Sequence, residues 1–443
     1  SSPNPTPQSP ISTLDGLARL VDHSLVRQEL GPGGEPRFSM LEVIREYALA
    51  RLVEHGEDAI LRRSHAHLFL ALAEEGAAGL HGPDQPRWLA RLDAEVDNLR
   101  AALTWSLSVG GVELGLRIAA SLWWFWWVSG RTAEGRRWLA ALLPSISECT
   151  PVRALALMGA GSLAFFAGDF AAAASPLEET MACARRLDLP VVLAYAQVNV
   201  ASIRVLEGEP GGQALLDESA GLLRTTGEKG RWYLATTLVV QLIVALQSGD
   251  TAAALRYGQE GLALFQALGQ PYGIASVLNY LGDVARARGD WTAAAASYEA
   301  SLPLMRRSGV RSDLPALLHN LGYAALATGN AARSAALFAE SLALHRIMGN
   351  RAGIVESLYG FAAVAASQGS PVQAARLFGA ARVLETTAGM PPWAVERAER
   401  ARHVEATRAQ LPKAAFATAL AAGSTLTLEQ AIAEALALVE MTP

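Results

Sequence analysis

A turn made of small residues recurs about every forty residues along most of the chain, and this repeat restricts the possible folds more than any other feature of the sequence. The turns read Gly168-Asp169, Gly208-Glu209, Gly249-Asp250, Gly289-Asp290, Gly329-Asn330 and Gly369-Ser370, so successive turns are 40 or 41 residues apart. Apolar residues between the turns follow helical spacing, and no segment sustains the two-residue alternation of a strand. Each repeat is therefore predicted to be a helix, a tight turn and a second helix.

A single pair of such helices cannot bury its apolar faces alone, so consecutive pairs are expected to stack into a solenoid. Two units show the pattern most clearly, with Gly282 in the first helix of one unit and Gly322 at the same place in the next. Small residues are expected where two helices cross closely, and Tyr298 and Phe338 are expected to fill the space between pairs. The sequence predicts an all-α fold, an α-solenoid of helix pairs with a period of about 40 residues.

The residues before the repeats follow a different pattern. Residues 14–21 have amphipathic helical spacing, and two strand-like segments, 24–30 and 37–40, flank a glycine-rich turn at 31–34. A longer helical pattern follows at 41–53. A helix, a β-hairpin and another helix in this order are typical of the C-terminal part of a winged-helix domain. A stray hairpin that caps the solenoid is the alternative.

These patterns divide the chain into five predicted segments. Residues 1–10 are rich in Ser, Pro and Asn and are expected to be disordered or a remnant of cloning. Residues 11–56 form the C-terminal part of a winged-helix domain, and residues 57–111 form a helical linker with capping helices. Residues 112–390 form the repeat solenoid, with about seven units, and residues 391–443 form C-terminal capping helices.

The repeats resemble tetratricopeptide repeats, and other phrases of the chain resemble a family of bacterial regulators. The phrases are LVDHSLV (20–26), FSMLEVIREYALARL (38–52), RLDAEVDNLRAALTWSL (91–107) and LRIAASLWWFWWVSGRTAEGRRWLAALL (116–143). They are similar to sequences of signal-transduction ATPases with numerous domains (STAND), in transcriptional regulators with a MalT-like or LuxR-like layout. The resemblance implies a nucleotide-binding core before the winged helix and a tetratricopeptide sensor after it. The segment TLEQAIAEALAL (427–438) resembles the part of that family just before a DNA-binding domain or the chain end.

The chain lacks the residues that a nucleotide site or an enzyme would need. Its two lysines, Lys229 and Lys413, follow Glu and Pro, so the sequence has no Gly-Lys-Ser/Thr phosphate loop. It also has no Cys-x-x-Cys, His-Glu-x-x-His or Gly-x-Ser-x-Gly motif. The net charge of −5 gives no general attraction to nucleic acid. We therefore expect no catalytic residue, no cofactor, no metal and no direct contact with DNA in this chain, and we predict that it is not an enzyme.

The cysteine count and the hydropathy indicate a cytoplasmic protein. Cys149 and Cys183 are too few for a disulfide framework, and both are predicted to be buried structural residues in a reducing compartment. One of the longest uncharged runs, residues 233–249, contains Thr, Gln and Ser and is shorter than the roughly 20 apolar residues that a bilayer helix needs. No signal peptide is visible, and the chain is expected to be a piece of a longer protein.

An aromatic run, Trp123-Trp124-Phe125-Trp126-Trp127, supplies the main candidate site. Successive helical residues rotate by about 100°, so the run covers every side of its helix. Trp123 and Trp126 are predicted to pack in the core. Trp124 and Trp127 fall on the face that a tetratricopeptide solenoid turns toward its concave groove. The sequence leaves open whether these two residues line the groove or fill the core, but exposed tryptophans in a groove commonly anchor a ligand or a partner.

The equivalent face of the other first helices predicts the rest of a ligand or partner groove. Its predicted residues are Arg117, Ser162, Phe165, Tyr195, Ser202, Asn279, Asp283, Arg286, His319, Tyr323, Glu356 and Tyr359. A mixture of aromatic, charged and amide side chains is typical of a recognition surface, although any solvated face is polar. The leading hypothesis is a sensor module whose groove binds an effector, a peptide or a protein and which controls an upstream ATPase core of the same polypeptide. The alternative is a protein–protein scaffold with no small-molecule effector.

Overall fold

The computed structural model describes residues 12–31, 34–108, 111–388 and 394–440. These residues form 22 α-helices and one antiparallel sheet of two strands, so the predicted all-α solenoid is confirmed. The segment predicted to be disordered, residues 1–10, lies outside the described residues. The bounds of the five predicted segments remain predictions.

The first part of the chain has the predicted order of helix, hairpin and helix. Its elements are α1 (Thr13–Asp22), β1 (Arg27–Leu30), β2 (Pro36–Ser39), α2 (Glu42–Glu54), α3 (Asp58–Gly79), α4 (Gln85–Ala94) and α5 (Val96–Ser108). The two strands pair in a register that places Arg27 opposite Ser39. The Arg37 side chain ties the hairpin to the start of the solenoid, because it forms an ion pair with Glu95 and donates a hydrogen bond of 2.8 Å to the Ala94 carbonyl.

Seven helix pairs follow. They are α6 (Val112–Val128) with α7 (Thr132–Leu142), α8 (Pro151–Phe166) with α9 (Phe170–Arg186), α10 (Pro190–Glu207) with α11 (Gly212–Arg224), α12 (Arg231–Gln247) with α13 (Thr251–Leu268), α14 (Pro271–Ala287) with α15 (Trp291–Ser308), α16 (Leu314–Ala327) with α17 (Ala331–Ile347), and α18 (Arg351–Ser367) with α19 (Pro371–Ala388). The last three helices described are α20 (Ala394–Ala409), α21 (Lys413–Ser424) and α22 (Leu428–Glu440). None of the 22 helices is both long and apolar enough to cross a membrane.

The turn between the two helices of a pair works as the sequence predicts. Gly289 has a φ of 79°, a conformation that costs glycine little, and its N–H donates to the Arg286 carbonyl at 2.9 Å. The next residue, Asp290, starts α15, because its side chain accepts a hydrogen bond of 2.9 Å from the Ala293 N–H. One glycine therefore ends the first helix while the following aspartate begins the second.

The two glycines of the clearest units, Gly282 and Gly322, lie at close helix contacts, as predicted. A Cβ atom added to Gly282 would lie 2.3 Å from Cε1 of Tyr298 in α15. A Cβ atom added to Gly322 would lie 2.7 Å from Cε1 of Phe338 in α17. Both aromatic side chains are fully buried. The aromatic ring thus fills the space that the missing side chain leaves.

A short segment between α3 and α4, residues 80–85, packs across the solenoid onto α12 and α14, and we call it the crossing segment. The carbonyl of Leu80 accepts a hydrogen bond of 3.2 Å from the Gln270 side chain. The Gln85 side chain accepts one of 3.2 Å from the Tyr272 N–H. The His81 ring stacks on Trp232 with a centroid distance of 3.9 Å. The crossing segment, which precedes the seven helix pairs, therefore contacts the fourth and fifth of them.

The prediction for the two cysteines is wrong. Cys149 and Cys183 form a disulfide, which joins the loop after α7 to α9. Their Cα atoms are 5.7 Å apart, a distance that suits a disulfide. The residues are 34 positions apart, close to one repeat, so the stacking of neighbouring pairs brings them together. Counting cysteines excluded a framework of several bridges but could not exclude one bridge between adjacent units.

Candidate functional site

The side chains of the aromatic run in α6 lie in two different environments, the packed core and the wall of a cavity. Trp123 and Trp126 are buried, as predicted, and each packs where a neighbouring glycine leaves room. A Cβ atom on Gly159 would lie 2.9 Å from Cβ of Trp123, and one on Gly135 would lie 2.4 Å from Cε3 of Trp126. Bulk on this side of α6 is therefore matched by small residues on the helices against it.

Trp124 and Trp127 line a cavity with a volume of about 350 Å³, which we call the aromatic cavity. Its walls come from α6, α8, α10, α12, the end of α13, α14 and the residue before α16. Nine of the lining residues are aromatic: Trp124, Trp127, Phe165, Phe166, Tyr195, Trp232, Phe265, Tyr272 and Tyr280. Of the residues predicted to line the groove, the structure brings together Trp124, Trp127, Phe165, Tyr195 and Ser202 here.

The tryptophans pack against each other as well as against the cavity. The Trp124 ring lies 4.7 Å from that of Trp127 and 4.8 Å from that of Trp232, measured between centroids. Trp127 in turn lies 4.7 Å from Phe166 and 5.8 Å from Tyr272. Trp124 is only 5% exposed, whereas Trp127 is partly exposed. Core and groove are therefore not exclusive alternatives for Trp124, because this residue is buried and also lines the cavity.

Two indole N–H groups at this wall have no hydrogen-bond acceptor among the described residues. They belong to Trp124 and Trp232, which are 5% and 4% exposed. Buried donors normally have a partner, since leaving one unpaired costs about 1–3 kcal/mol. The aromatic cavity thus has a largely apolar wall, and these two N–H groups are buried within that wall.

One carboxyl group, that of Asp313, lines the opposite part of the cavity. Its Oδ2 accepts a hydrogen bond of 2.7 Å from the Tyr272 hydroxyl. Burial raises the pKa of Asp313, while the hydrogen bond from Tyr272 opposes that rise. Burial also raises the pKa of Tyr272 well above its usual value, so the phenol stays protonated and acts as the donor.

The crossing segment packs against two tryptophans of the cavity wall. His81 lies against the rings of Trp232 and Trp124, with centroid distances of 3.9 and 6.5 Å. Burial lowers the pKa of His81 to about 3, so its ring is neutral at physiological pH. A neutral ring can stack on the indoles without bringing a charge into an apolar wall.

A second group of predicted groove residues forms a buried ionic cluster farther along the solenoid. Asp283 accepts a hydrogen bond of 2.7 Å from the Tyr298 hydroxyl and lies 3.4 Å from the guanidinium of Arg286. Arg286 also lies 3.4 Å from a carboxylate oxygen of Glu399 in α20. Arg286 and Glu399 are 7% and 3% exposed. These charged groups pair with one another inside the protein and do not lie on an open surface.

Helix α20 covers the last three units of the predicted groove. The Arg400 guanidinium lies 4.3 Å from the centroid of the Tyr359 ring and 3.9 Å from a carboxylate oxygen of Glu356. The His403 ring is nearly parallel to that of Tyr323, at 5.7 Å between centroids. The chain's own helix therefore occupies the position where the sequence analysis expected an external ligand.

The remaining predicted residues lie apart from both groups or within the packing. Arg117 forms an ion pair of 2.6 Å with Glu74 near the surface. Ser162 and His319 are buried, and Asn279 accepts a hydrogen bond of 3.2 Å from a neighbouring asparagine. Within the described ranges, no three His, Cys, Asp or Glu side chains come together as metal ligands.

Several cavity residues were missed by the sequence analysis. Trp232 and Tyr272 stand one period of 40 residues apart at the start of successive first helices, so the repeat itself could have marked them. Asp313 and His81 carried no such signal. Asp313 reaches the cavity from the start of the next helix pair, whereas His81 does not line the cavity but stacks on one of its wall residues, Trp232, from a distant part of the chain.

The family comparison identifies the repeat. Residues 273–346 match the family model described as Tetratricopeptide repeat. This range covers nearly all of α14 to α17, including the close contacts at Gly282 and Gly322. The chain therefore contains tetratricopeptide repeats, as its resemblance to that family predicted.

The relatives of the chain are bacterial regulators. Over 275 residues it is 30% identical to the "Putative HTH-type transcriptional regulator" of Mycobacterium tuberculosis, and to the protein of the same description in Mycobacterium bovis. The alignment covers 59% of this chain and 30% of each relative, so the chain spans less than a third of their length. The predicted similarity to transcriptional regulators is confirmed at this level.

Two solved structures show a distant likeness in fold. One is the STAND protein with a tetratricopeptide repeat sensor from Pyrococcus horikoshii, at 12% identity and a TM-score of 0.44 over 84% of this chain and 58% of that chain. Another is a Rap protein complexed with competence and sporulation factor, at 10% identity and a TM-score of 0.47 over 74% of this chain and 100% of that chain. Both likenesses are weak and concern the fold alone.

Proposed function

We propose that this chain is the effector-sensing module of a larger bacterial regulator and that the effector binds in the aromatic cavity. The observation that supports this most strongly is a preformed cavity lined by nine aromatic side chains, Trp124 and Trp232 among them. Its volume of about 350 Å³ falls within the range of small-molecule sites. An effector with an apolar body would fill the cavity and pack against its aromatic rings.

The contacts behind the cavity offer a route from the effector to the rest of the regulator. Displacing Trp124 or Trp232 would disturb the stacked His81 in the crossing segment. The crossing segment leads directly into α4, and the α4–α5 junction holds Arg37 of the hairpin through Glu95 and the Ala94 carbonyl. Binding would thus be transmitted toward the proposed winged-helix segment.

The role within a longer protein follows from the relatives. They are described as HTH-type transcriptional regulators, and this chain aligns with 30% of their length. In this proposal the module controls a nucleotide-binding domain of the same polypeptide, works in the bacterial cytoplasm, performs no catalysis and makes no contact with nucleic acid itself.

A compound screen tests the effector site. We expect some small apolar compounds to raise the melting temperature and to change the tryptophan fluorescence of the chain. Val240 lines the cavity, so Val240→Phe should fill the space and abolish both responses. Val383 is an exposed valine of α19, so Val383→Phe serves as the matched control. Responses that survive Val240→Phe, or the absence of any response in the wild-type chain, would refute the site.

The alternative function is a scaffold that binds only proteins or peptides. The position of α20 favours it, because a helix already lies on the last three units and contacts them through Glu399, Arg400 and His403. The scaffold would be preferred if the compound screen gave no response while a helical peptide competed with α20 for that surface.

A further inference from the structure

We propose that the aromatic cavity selects an organic cation, in which a positively charged ammonium head lies beside Asp313 and an apolar body lies against the tryptophans. This inference rests on the proposed function, because it names the class of effector for the same cavity.

The charge of the cavity wall is the first argument. Asp313 carries the only carboxyl group among the lining residues, and no Lys, Arg or His lines the cavity. Asp313 makes no ion pair with any residue that the structure describes. Asp313 is partly buried, a carboxylate in such a place is unfavourable without a cationic partner, and a positive ligand would supply that partner.

The local structure around Asp313 is the second argument. Asp313 directly precedes α16, where a side chain would usually cap the helix. At the same place before α14 and α18, Gln270 and Asn350 do so, accepting hydrogen bonds of 2.8 and 3.0 Å from the N–H groups of the third helical residue. The Asp313 side chain makes no such bond and instead meets Tyr272 at the cavity. The carboxyl group of Asp313 therefore does not cap α16 and is instead bonded to Tyr272 at the cavity.

The aromatic rings are the third argument. Tyr272 donates its hydroxyl to Asp313, and its ring lies 5.8 Å from Trp127 and 6.1 Å from Trp124. A cation placed here would meet the carboxylate and the faces of several rings together. Aromatic rings attract cations through their quadrupoles, and quaternary ammonium groups are commonly recognised in aromatic sites.

Other ligand classes fit this wall less well. An anion would be repelled by Asp313 and would find no basic side chain among the lining residues. A neutral apolar ligand would exclude water from Asp313 without replacing it by a charge partner. Burial already raises the pKa of this carboxyl group, and a bound cation would favour its ionised form.

Three probes of nearly equal size separate these classes. They are phenyltrimethylammonium, its uncharged isostere tert-butylbenzene, and the anion benzenesulfonate, each titrated into the full chain and followed by tryptophan fluorescence and calorimetry. We expect the cation to bind at least about tenfold more tightly than the isostere, and benzenesulfonate not to bind. In Asp313→Asn the cation should fall to the affinity of the isostere, whose own affinity should stay the same. Glu209→Gln removes an exposed carboxyl group outside the cavity and should change neither affinity.

The outcomes distinguish this inference from the proposed function. If the isostere binds the wild-type chain as tightly as the cation, or if Asp313→Asn leaves the affinity for the cation unchanged, the cationic class is wrong while the cavity remains an effector site. The comparison of the three probes on the wild-type chain decides the question even if Asp313→Asn does not fold. If none of the probes binds, the inference falls, and the compound screen with Val240→Phe decides separately whether the cavity binds effectors.

Discussion

Replacing Gly282 by valine should destabilise the solenoid and disturb the ionic cluster beside it. The new Cβ atom would lie 2.3 Å from Cε1 of Tyr298, and the ring cannot retreat because the side chain is fully buried. Overpacking of this kind costs about 1–3 kcal/mol. Moving Tyr298 also breaks its 2.7 Å hydrogen bond to Asp283, which adds about 1–3 kcal/mol if the buried carboxylate loses that donor. Valine recovers only about 0.3 kcal/mol of helix propensity, so we expect a loss of about 2–6 kcal/mol.

Urea unfolding followed by circular dichroism measures this loss. Gly221→Val in α11 is the matched control, because Gly221 is exposed and a Cβ atom there would meet no atom within 4 Å. The control should change the free energy of unfolding by less than about 0.5 kcal/mol. If the two variants unfold at the same urea concentration, Gly282 does not lie at a close helix contact, and the register of the repeat is wrong.

Three further predictions concern the cavity and the helix that covers the groove. Trp124→Ala should lower the free energy of unfolding by about 3–5 kcal/mol, and Trp127→Ala should lower it by clearly less, because only Trp124 of the two is nearly fully buried. Equal losses for the two variants in urea unfolding would contradict this prediction. The pKa of His81 is about 3 in the folded chain and 6.5 when the residue is exposed, so the unfolded state takes up the proton first as the pH falls. The free energy of unfolding should therefore decrease by about 2 kcal/mol between about pH 6.5 and pH 5. His81→Phe should lose that share of the pH dependence of the urea midpoint. Glu399→Gln should weaken the docking of α20 and speed its proteolysis, whereas Glu405→Gln, at an exposed residue of the same helix, should not.

The repeat made most of the fold predictable. A glycine that ends one helix and an Asp or Asn that starts the next act through neighbouring backbone groups, so the sequence shows them directly, as at Gly289 and Asp290. The glycine at position 282 and the aromatic ring at 298 belong to the same unit, so the pattern of one repeat was enough to pair them. Local chemistry, repeated at a constant spacing, determines these contacts.

The candidate site was only partly predictable, because its decisive contacts join distant parts of the chain. The face of α6 pointed to Trp124 and Trp127, but no periodic pattern shows that His81 stacks on Trp232. In the same way, nothing in the repeat indicates that Glu399 would reach Arg286, 113 residues away. A period describes how a unit meets its neighbours, and it contains no information about segments that pack across several units.

The crossing segment changes how the solenoid is expected to come apart. An open array of repeats is held by nearest neighbours, so it can fray one unit at a time from either end. Here the Gln270 side chain is bonded to the Leu80 carbonyl across 190 residues, which closes the intervening helices into a loop. The first four pairs cannot peel away in sequence without first opening that closure, so their amides should exchange hydrogen with water together rather than in a gradient from the N-terminal side. A ligand bound anywhere within the loop would then slow amide hydrogen exchange throughout the first four helix pairs. These helices would respond to ligand binding as one cooperative unit.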